Sequence, residues 1–283
     1  RGTVYGFWSA SHNIGEAFTF IFIAFVVSMT GWQFGFLSAG MLGIIGAVLI
    51  FIFLKPFPHD AIDGDVFVNR KEIGKKQLSV LKSGTIWLLA LSSAFMYISR
   101  YAVNSWGVYY FEVEKHYSIV EASGLISISS ICGIIGTVFS GLLSDKLFRG
   151  KRYIPACLAS FMNLIALYLF LYIPDGGKLM DIVAMVLFGI SIGILICYLG
   201  GLMAIDLAPK EATGAAVGVI GIASYMAAGI QDILSGFFIE SKKQIIGGVE
   251  IIDFSFIRMF WILSAMVSLL LLICIYYKHH RRV

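Results

Sequence analysis

The most restrictive feature of the sequence is a series of eight long apolar stretches. A helix that crosses a bilayer needs about 20 mostly apolar residues. Transmembrane strands would instead give segments of about ten residues with alternating hydrophobicity. The pattern therefore predicts an all-α polytopic membrane protein, with spans at roughly 3–29, 32–54, 85–110, 119–143, 153–173, 180–205, 212–239 and 255–277.

The composition fits a chain built for a bilayer. Hydrophobic residues make up 59% of the 283 residues and charged residues 13%, whereas soluble proteins average about 45–50% and about 25%. These values exclude a soluble domain and a disordered chain. The sequence contains no Ser/His/Asp arrangement, no metal-ligand cluster and no glycine loop that would cradle phosphate. We therefore predict no enzyme activity, no cofactor or metal and no nucleic-acid partner, and we expect a monomer in the lipid bilayer.

Basic residues are distributed unevenly between the two sides of the predicted membrane. If the first residue is placed in the cytoplasm, the outer loops hold few of the 21 Lys and Arg residues: Lys115, Lys178, Lys242 and Lys243. Cytoplasmic loops of membrane proteins carry an excess of Lys and Arg. We therefore expect both ends of this chain to be cytoplasmic.

Residues 55–84 form a long basic segment that divides the helices into two plus six. Large transporters are often built from repeated six-helix halves. The division predicts the last two helices of an amino-terminal half in 1–54, a cytoplasmic inter-half loop in 55–84, and a carboxy-terminal half with a cytoplasmic tail in 85–283. Because the first residue is Arg1 and not Met, we expect a fragment with eight of twelve helices. Within the loop, 69–82 is either a solvated linker, which we favour, or a short surface helix.

Arg100 lies inside the third predicted span, where an arginine is expensive. Such a residue normally faces a cavity or a partner. Tyr97 and Asn104 lie one turn before and after it, so the three side chains share one helix face. A guanidinium presents a planar fork of donors that suits phosphate or carboxylate oxygens. We favour anion binding over the alternative, a structural ion pair with a buried acid.

Two other spans carry ionisable residues at membrane depth. His12 and Glu16 are one turn apart in the first span, and Tyr225 and Asp232 are two turns apart in the seventh. His12 and Glu16 either line a cavity or satisfy each other. Asp232 is either a partner for Arg100 or, being nearer the outer end, a residue that reaches water at the lipid headgroups. Because histidine titrates near neutral pH, a proton-coupled role for His12 also stays open.

Residues 141–152 read Gly-Leu-Leu-Ser-Asp-Lys-Leu-Phe-Arg-Gly-Lys-Arg and follow the second predicted helix after the long loop. This segment resembles the signature cytoplasmic loop of the major facilitator superfamily, which joins the second and third helices of each half. The resemblance implies the major facilitator fold. It also implies a cytoplasmic gating role for the matching residues: Gly141, Asp145, Lys146, Arg149, Gly150 and Arg152.

Further segments resemble one branch of that superfamily, the organophosphate:phosphate antiporters. Arg1-Gly2-Thr3 with Ala10-Ser11-His12-Asn13-Ile14-Gly15 is similar to their fifth helix, and Tyr97-Ile98-Ser99-Arg100-Tyr101 with Trp106 to their seventh. Two segments, 144–150 and 207–212, are similar to their inner loops. Because these segments occur in the family's order, the resemblance covers the whole chain.

The resemblance implies a secondary transporter of the bacterial inner membrane. It would exchange an organophosphate, such as a hexose 6-phosphate, for inorganic phosphate by alternating access. Arg100 would grip the phosphate together with a first-helix arginine that lies outside this sequence, and His12 and Tyr225 would line the same site. We expect three further residues to shape the pocket: Tyr97, Asn104 and Asp232.

Two other functions stay open. A sugar-phosphate sensor of the same family would signal to a membrane kinase, and a proton-coupled exporter of the wider superfamily would use Glu16 and Asp232. The sequence also departs from the motifs of the organophosphate transporters that it resembles. Ser130 stands where glycerol-3-phosphate transporters carry a glutamate, and Asp232 is offset from the acid of the hexose-phosphate transporters. The substrate therefore stays open, with a sugar phosphate favoured.

Overall fold

The computed structural model describes residues 2–54, 70–148, 151–173, 177–246 and 249–280. The helices in these ranges are α1 (Gly2–Thr30), α2 (Trp32–Phe53), α3 (Arg70–Leu81), α4 (Gly84–Val113), α5 (Ile119–Leu142), α6 (Tyr153–Tyr172), α7 (Lys178–Cys197), α8 (Met203–Leu207), α9 (Thr213–Ser241) and α10 (Ser255–His280). A hairpin of β1 (Lys243–Ile246) and β2 (Val249–Ile252) joins α9 to α10.

The predicted all-α membrane fold is confirmed. Within the described ranges, seven helices are long and apolar enough to cross a bilayer. Together with α1, which has 29 residues, they correspond to the eight predicted spans. One span, α7, is continued by a π-helical turn (Tyr198–Leu202) and α8, so a single rod runs from Lys178 to Leu207.

Local sequence signals explain two of the helix boundaries. Gly31 separates α1 from α2 and has a φ of 98°, a conformation that side chains with a Cβ rarely adopt. At the start of α5, the Ser118 hydroxyl accepts a hydrogen bond from the Glu121 amide, and the Glu121 carboxylate accepts one from the Ser118 amide. This reciprocal capping satisfies amides that the first helical turn leaves unpaired.

The helices from α4 onwards pack around a shared aromatic core. Its largest fully buried side chains include Trp261, Tyr110, Phe111 and Phe170, and Tyr110 contacts Phe170 edge to face with ring centroids 4.9 Å apart. In contrast, α2 packs against α1 and exposes almost every large apolar side chain, such as Phe51 at 89%. The six helices after the long loop therefore form the packed body that positions the site.

The segment favoured as a solvated linker contains a helix. Residues 70–81 form α3, which packs beside the start of α9. Lys76 forms an ion pair with Glu211 at 3.3 Å, and the Trp87 indole donates a hydrogen bond to the Leu81 carbonyl at 2.7 Å. These contacts hold α3 beside the start of α9 and against α4, so residues 70–81 are helical, and their place at a membrane surface stays a prediction. Residues 55–69 lie outside the described residues.

The charged residues predicted to lie in the outer loops are not all exposed. Lys115 was counted among the loop charges, but it is 5% exposed and paired with the fully buried Asp181, which also accepts a hydrogen bond from the Tyr117 hydroxyl at 2.8 Å. The sequence showed the charges but not the pairing. After the hairpin, Ser255 donates hydrogen bonds to Asp253, which lower the pKa of the Asp253 carboxyl group. Ser255 is the first residue of α10.

Candidate substrate-binding site

Arg100 and His12 come from helices far apart in the sequence, and the buried Arg100 side chain contacts the exposed residue His12. The Arg100 side chain is on α4 and only 3% of the residue is exposed. Its Nη2 lies 3.2 Å from Nε2 of His12, on α1. Helix α1 reaches this position because it crosses α5 closely: a Cβ on Gly6 would lie 3.0 Å from the Thr137 carbonyl oxygen. A buried guanidinium is thus held between the two parts of the chain that the long segment separates.

Tyrosine rings surround the guanidinium. Its Cζ lies 5.6 Å from the ring centroids of both Tyr97 and Tyr101, which is within the range of cation–π attraction. Tyr97 also meets Tyr225 of α9 edge to face, with centroids 5.4 Å apart. The rings stabilise the positive charge without neutralising it, so the arginine keeps its capacity to bind an anion.

A cavity of about 20 Å³ lies beside Arg100, enough for about one water molecule. Its lining combines polar side chains with small and apolar residues of two closely packed helices. The lining residues are Arg100, Asn104, Ser129, Ser130, Gly133, Phe188, Gly189, Ile192 and Gly193. Asn104 therefore shares the cavity with Arg100, as the helical spacing predicts. The serines and glycines of α5 and α7 were not predicted as site residues, because small residues inside a span carry no signal beyond helix packing.

The far wall of the cavity is formed by two helix backbones in direct contact. A Cβ on Gly189 would lie 2.1 Å from the Ser129 carbonyl oxygen, and one on Gly193 would lie 2.2 Å from that of Gly133. A Cβ on a third glycine, Gly136, would lie 2.3 Å from the Ile190 carbonyl oxygen. Only glycine fits at these positions, so the α5–α7 contact has little freedom to adjust.

Asp232 lies on the stripe of α9 that faces α4. Tyr225, which contacts Tyr97, is two turns before it, and Gly236, next to the Trp106 ring, is one turn after it. The sequence left open an ion pair between Asp232 and Arg100. In the structure, Asp232 Oδ1 is buried and has no hydrogen-bond partner among the described residues. The side chain of Glu16, the other acid considered, lies outside the described residues.

Hydroxyl groups also hold α4 against its neighbouring helices. Ser93 hydrogen-bonds Ser224 of α9 at 2.8 Å, and Asn163 of α6 donates to the Ser99 hydroxyl at 3.2 Å. Ser99 directly precedes Arg100, so this contact fixes the helix next to the candidate site. Sequence reasoning missed these residues, because a serine inside a span is common and its partner is distant in the chain.

The residues of the predicted cytoplasmic motif lie at the end of α5 and the start of α6. Asp145 and Lys146 belong to a π-helical turn (Leu143–Leu147). Arg152, 8% exposed, donates to the Leu202 carbonyl at 2.9 Å and pairs with Asp206 at 3.0 Å. Gly141 is buried at the end of α5, whereas Arg149 and Gly150 lie outside the described residues. The described part of the motif thus ties the start of α6 to the rod formed by α7 and α8.

The comparison with known families agrees with this architecture. Residues 1–231 match the family described as Major Facilitator Superfamily. The chain belongs to the major facilitator superfamily. The family match also confirms the predicted major facilitator fold.

Individual relatives confirm the predicted resemblance to organophosphate transporters. The chain is 29% identical over 260 residues to the glycerol-3-phosphate transporter of Bacillus subtilis, covering 85% of this chain and 58% of the relative. It is 30% identical over 255 residues to the hexose-6-phosphate:phosphate antiporter of Salmonella typhimurium (80% and 52%). It is also 30% identical over 250 residues to the membrane sensor protein UhpC of that organism (81% and 55%). The chain therefore spans little more than half the length of these relatives.

Proposed function

We propose that this major facilitator chain forms the last eight helices of a transporter that exchanges an organophosphate for inorganic phosphate. The observation that carries the proposal is the buried Arg100 guanidinium, held against His12 beside a polar cavity. A guanidinium in a low-dielectric site binds a phosphoryl group through paired, charge-assisted hydrogen bonds. The relatives named as glycerol-3-phosphate and hexose-6-phosphate carriers support the same ligand class, and we favour a sugar phosphate.

The roles of the site residues follow from their positions. Arg100 would bind the phosphoryl group, and His12 would donate or accept a hydrogen bond on the same group. Tyr97, Asn104 and Tyr225 would contact the remainder of the substrate. Because the cavity has a volume of only about 20 Å³, a phosphate needs more room than this structure offers. That room would open when the two halves rock about the site, which is the motion of alternating access.

We also propose the arrangement of the chain in the membrane. Residues 1–54 would serve as the last two helices of one half and 85–283 as the other half, with 55–84 as the cytoplasmic connection. Both ends would face the cytoplasm of a bacterial inner membrane. The Arg152–Asp206 pair would close the cytoplasmic side when the site faces outward, and the protein would act as a monomer.

The test is exchange by the full-length gene product in phosphate-loaded liposomes. Uptake of labelled phosphate should require internal phosphate and should be displaced by glucose 6-phosphate or glycerol 3-phosphate. Uptake driven by a proton gradient and indifferent to internal phosphate would contradict the proposal and favour a proton-coupled exporter. Absence of both exchange and ligand binding would contradict it altogether.

A second candidate is a sensor of the same ligands, since the chain is 30% identical to the membrane sensor protein UhpC. The binding site would be the same, but the readout would be a signal to a membrane kinase. Tight binding of a sugar phosphate without measurable exchange in liposomes would favour this function over transport.

A further inference from the structure

Three tryptophans of the six-helix body differ in how their indole N–H groups are satisfied. Trp87 donates to the Leu81 carbonyl at 2.7 Å, and Trp261 donates to the Ser235 hydroxyl at 3.0 Å. The indole nitrogen of Trp106 is buried and has no hydrogen-bond partner in the described part of the chain. Buried indole N–H groups usually have a partner, and an unsatisfied one needs an explanation.

A buried acceptor lies on the helix that faces this donor. Asp232 Oδ1 is also excluded from solvent without a hydrogen-bond partner among the described residues. A carboxylate oxygen in that position is costly, since burial removes water that nothing replaces. The two groups have opposite hydrogen-bonding characters, so one ligand group with both characters would satisfy them together.

The packing of α4 against α9 brings the Trp106 indole and the Asp232 carboxylate to similar heights along the helix axes. A Cβ on Gly236 would lie 3.4 Å from both Cζ2 and Cη2 of Trp106, and Cζ2 is two bonds from the indole nitrogen. Asp232 is one turn before Gly236 on the same stripe of α9. The indole nitrogen and the carboxylate therefore face the same α4–α9 contact within about one helical turn, or about 5 Å along the axis.

This location has a fixed relation to the proposed phosphate site. Trp106 follows Arg100 by six residues on α4, an axial offset of about 9 Å. Asp232 and Tyr225 share one stripe of α9, and Tyr225 already contacts Tyr97 beside the guanidinium. A substrate whose phosphoryl group binds Arg100 would thus extend its organic part along this stripe.

We infer that Trp106 and Asp232 form a hydroxyl-binding subsite that selects polyol phosphates. A hydroxyl group accepts a hydrogen bond from the Trp106 indole and donates one to the Asp232 carboxylate. A deprotonated phosphate oxygen can only accept, and it meets repulsion at Asp232. The inference rests on the proposed exchange function and adds to it the class of organic group that the site recognises.

The test compares two ligands of the same carbon number. Glycerol 3-phosphate and propyl phosphate both carry three carbons, but propyl phosphate lacks the two free hydroxyls; glucose 6-phosphate serves as the larger polyol. Each competes against labelled phosphate in liposomes that contain full-length wild type, Asp232→Asn or Trp106→Phe. Trp106→Phe retains a ring against Gly236 but removes the donor. The matched controls are Trp87→Phe on α4 and Glu240→Gln on α9, which change the same chemical groups away from the site.

The decisive quantity is the ratio of apparent affinities for the preferred polyol phosphate over propyl phosphate. We expect wild type to favour the polyol at least about tenfold, Asp232→Asn to reduce that ratio about tenfold and Trp106→Phe about threefold, since hydrogen bonds to charged groups are the stronger ones. The control variants should keep the wild-type ratio.

Several results would overturn the inference. A wild-type protein that exchanges phosphate without preferring either polyol would do so. Variants that keep the wild-type ratio, or that lose phosphate exchange altogether, would show that the pair serves packing. If wild type itself exchanges no phosphate, the proposed function fails first. The two failures are therefore distinguishable.

Discussion

Two helix contacts flank Arg100, and they are built from different kinds of residue. The α5–α7 contact joins backbones directly at Gly136, Gly189 and Gly193. The α4–α9 contact joins side chains, such as Ser93 with Ser224, and it retains the buried, unsatisfied groups of Trp106 and Asp232. The first contact is rigid because nothing in it can rotate. The second can reorganise around a ligand. The comparison predicts that the α5–α7 contact serves as a scaffold and that the α4–α9 contact adjusts to a ligand.

The largest effect should come from adding one methyl group to the rigid contact. Gly189→Ala places a Cβ 2.1 Å from the Ser129 carbonyl oxygen, so the helices must separate. We expect the free energy of unfolding to fall by about 3 kcal/mol and the unfolding temperature in detergent to fall by roughly 5 °C or more. Gly214→Ala on α9, which meets nothing within 4 Å, is the matched control. An unchanged melting temperature for Gly189→Ala would show that the contact is not rigid.

Replacing the guanidinium should affect function more than stability. Arg100→Lys keeps the charge but loses the planar fork, and we expect apparent phosphate affinity to fall about 30- to 100-fold, corresponding to about 2–3 kcal/mol. Phosphate exchange in liposomes measures it. Arg258→Lys, at the ion pair with Glu114 next to the carboxy-terminal end of α4, is the control with the same exchange of residues. Equal losses in both variants would mean that Arg100 acts through the fold and not through the ligand.

The ion pair of the predicted cytoplasmic motif should tolerate change better. Arg152→Gln removes the ion pair with Asp206, whose side chain is 45% exposed, and the hydrogen bond to the Leu202 carbonyl, so we expect about 1 kcal/mol of stability to be lost. If the pair closes the inner gate, the exchange rate should change about threefold. Lys178→Gln removes the ion pair with Glu121, whose side chains are 59% and 45% exposed, and should leave the rate unchanged. Identical rates for wild type and Arg152→Gln would separate this pair from gating.

We expect the smallest effect at the contact between α4 and α9. Ser93→Ala and Ser224→Ala, alone and together, form a double-mutant cycle across the 2.8 Å hydrogen bond. Hydrogen bonds between helices in membranes contribute about 0.6 kcal/mol on average, and unfolding in detergent should give a coupling of that size. Ser127→Ala, whose hydroxyl bonds within its own helix, is the control. A coupling above about 2 kcal/mol would make the two contacts similarly rigid and remove the difference between them.

The sequence by itself determined the membrane fold and the central functional candidate. Spans are visible because about 20 apolar residues in a row are a local property, and Arg100 stands out because a charge at that depth is costly. The same local logic showed that Tyr97 and Asn104 share a face with it. The family motif added the expectation that His12 belongs to the same site, a role that stays a prediction.

Tertiary structure alone decided what lies opposite each of these residues. The 3.2 Å approach of His12 to Arg100, the backbone contact at Gly189 and the burial of Lys115 against Asp181 all join residues that are distant in the chain. Helices in a bilayer associate through close packing and hydrogen bonds, with little contribution from hydrophobicity. The pattern that reveals a span therefore carries almost no information about its neighbours. Partners are set by shape, and shape is known only once the helices are packed.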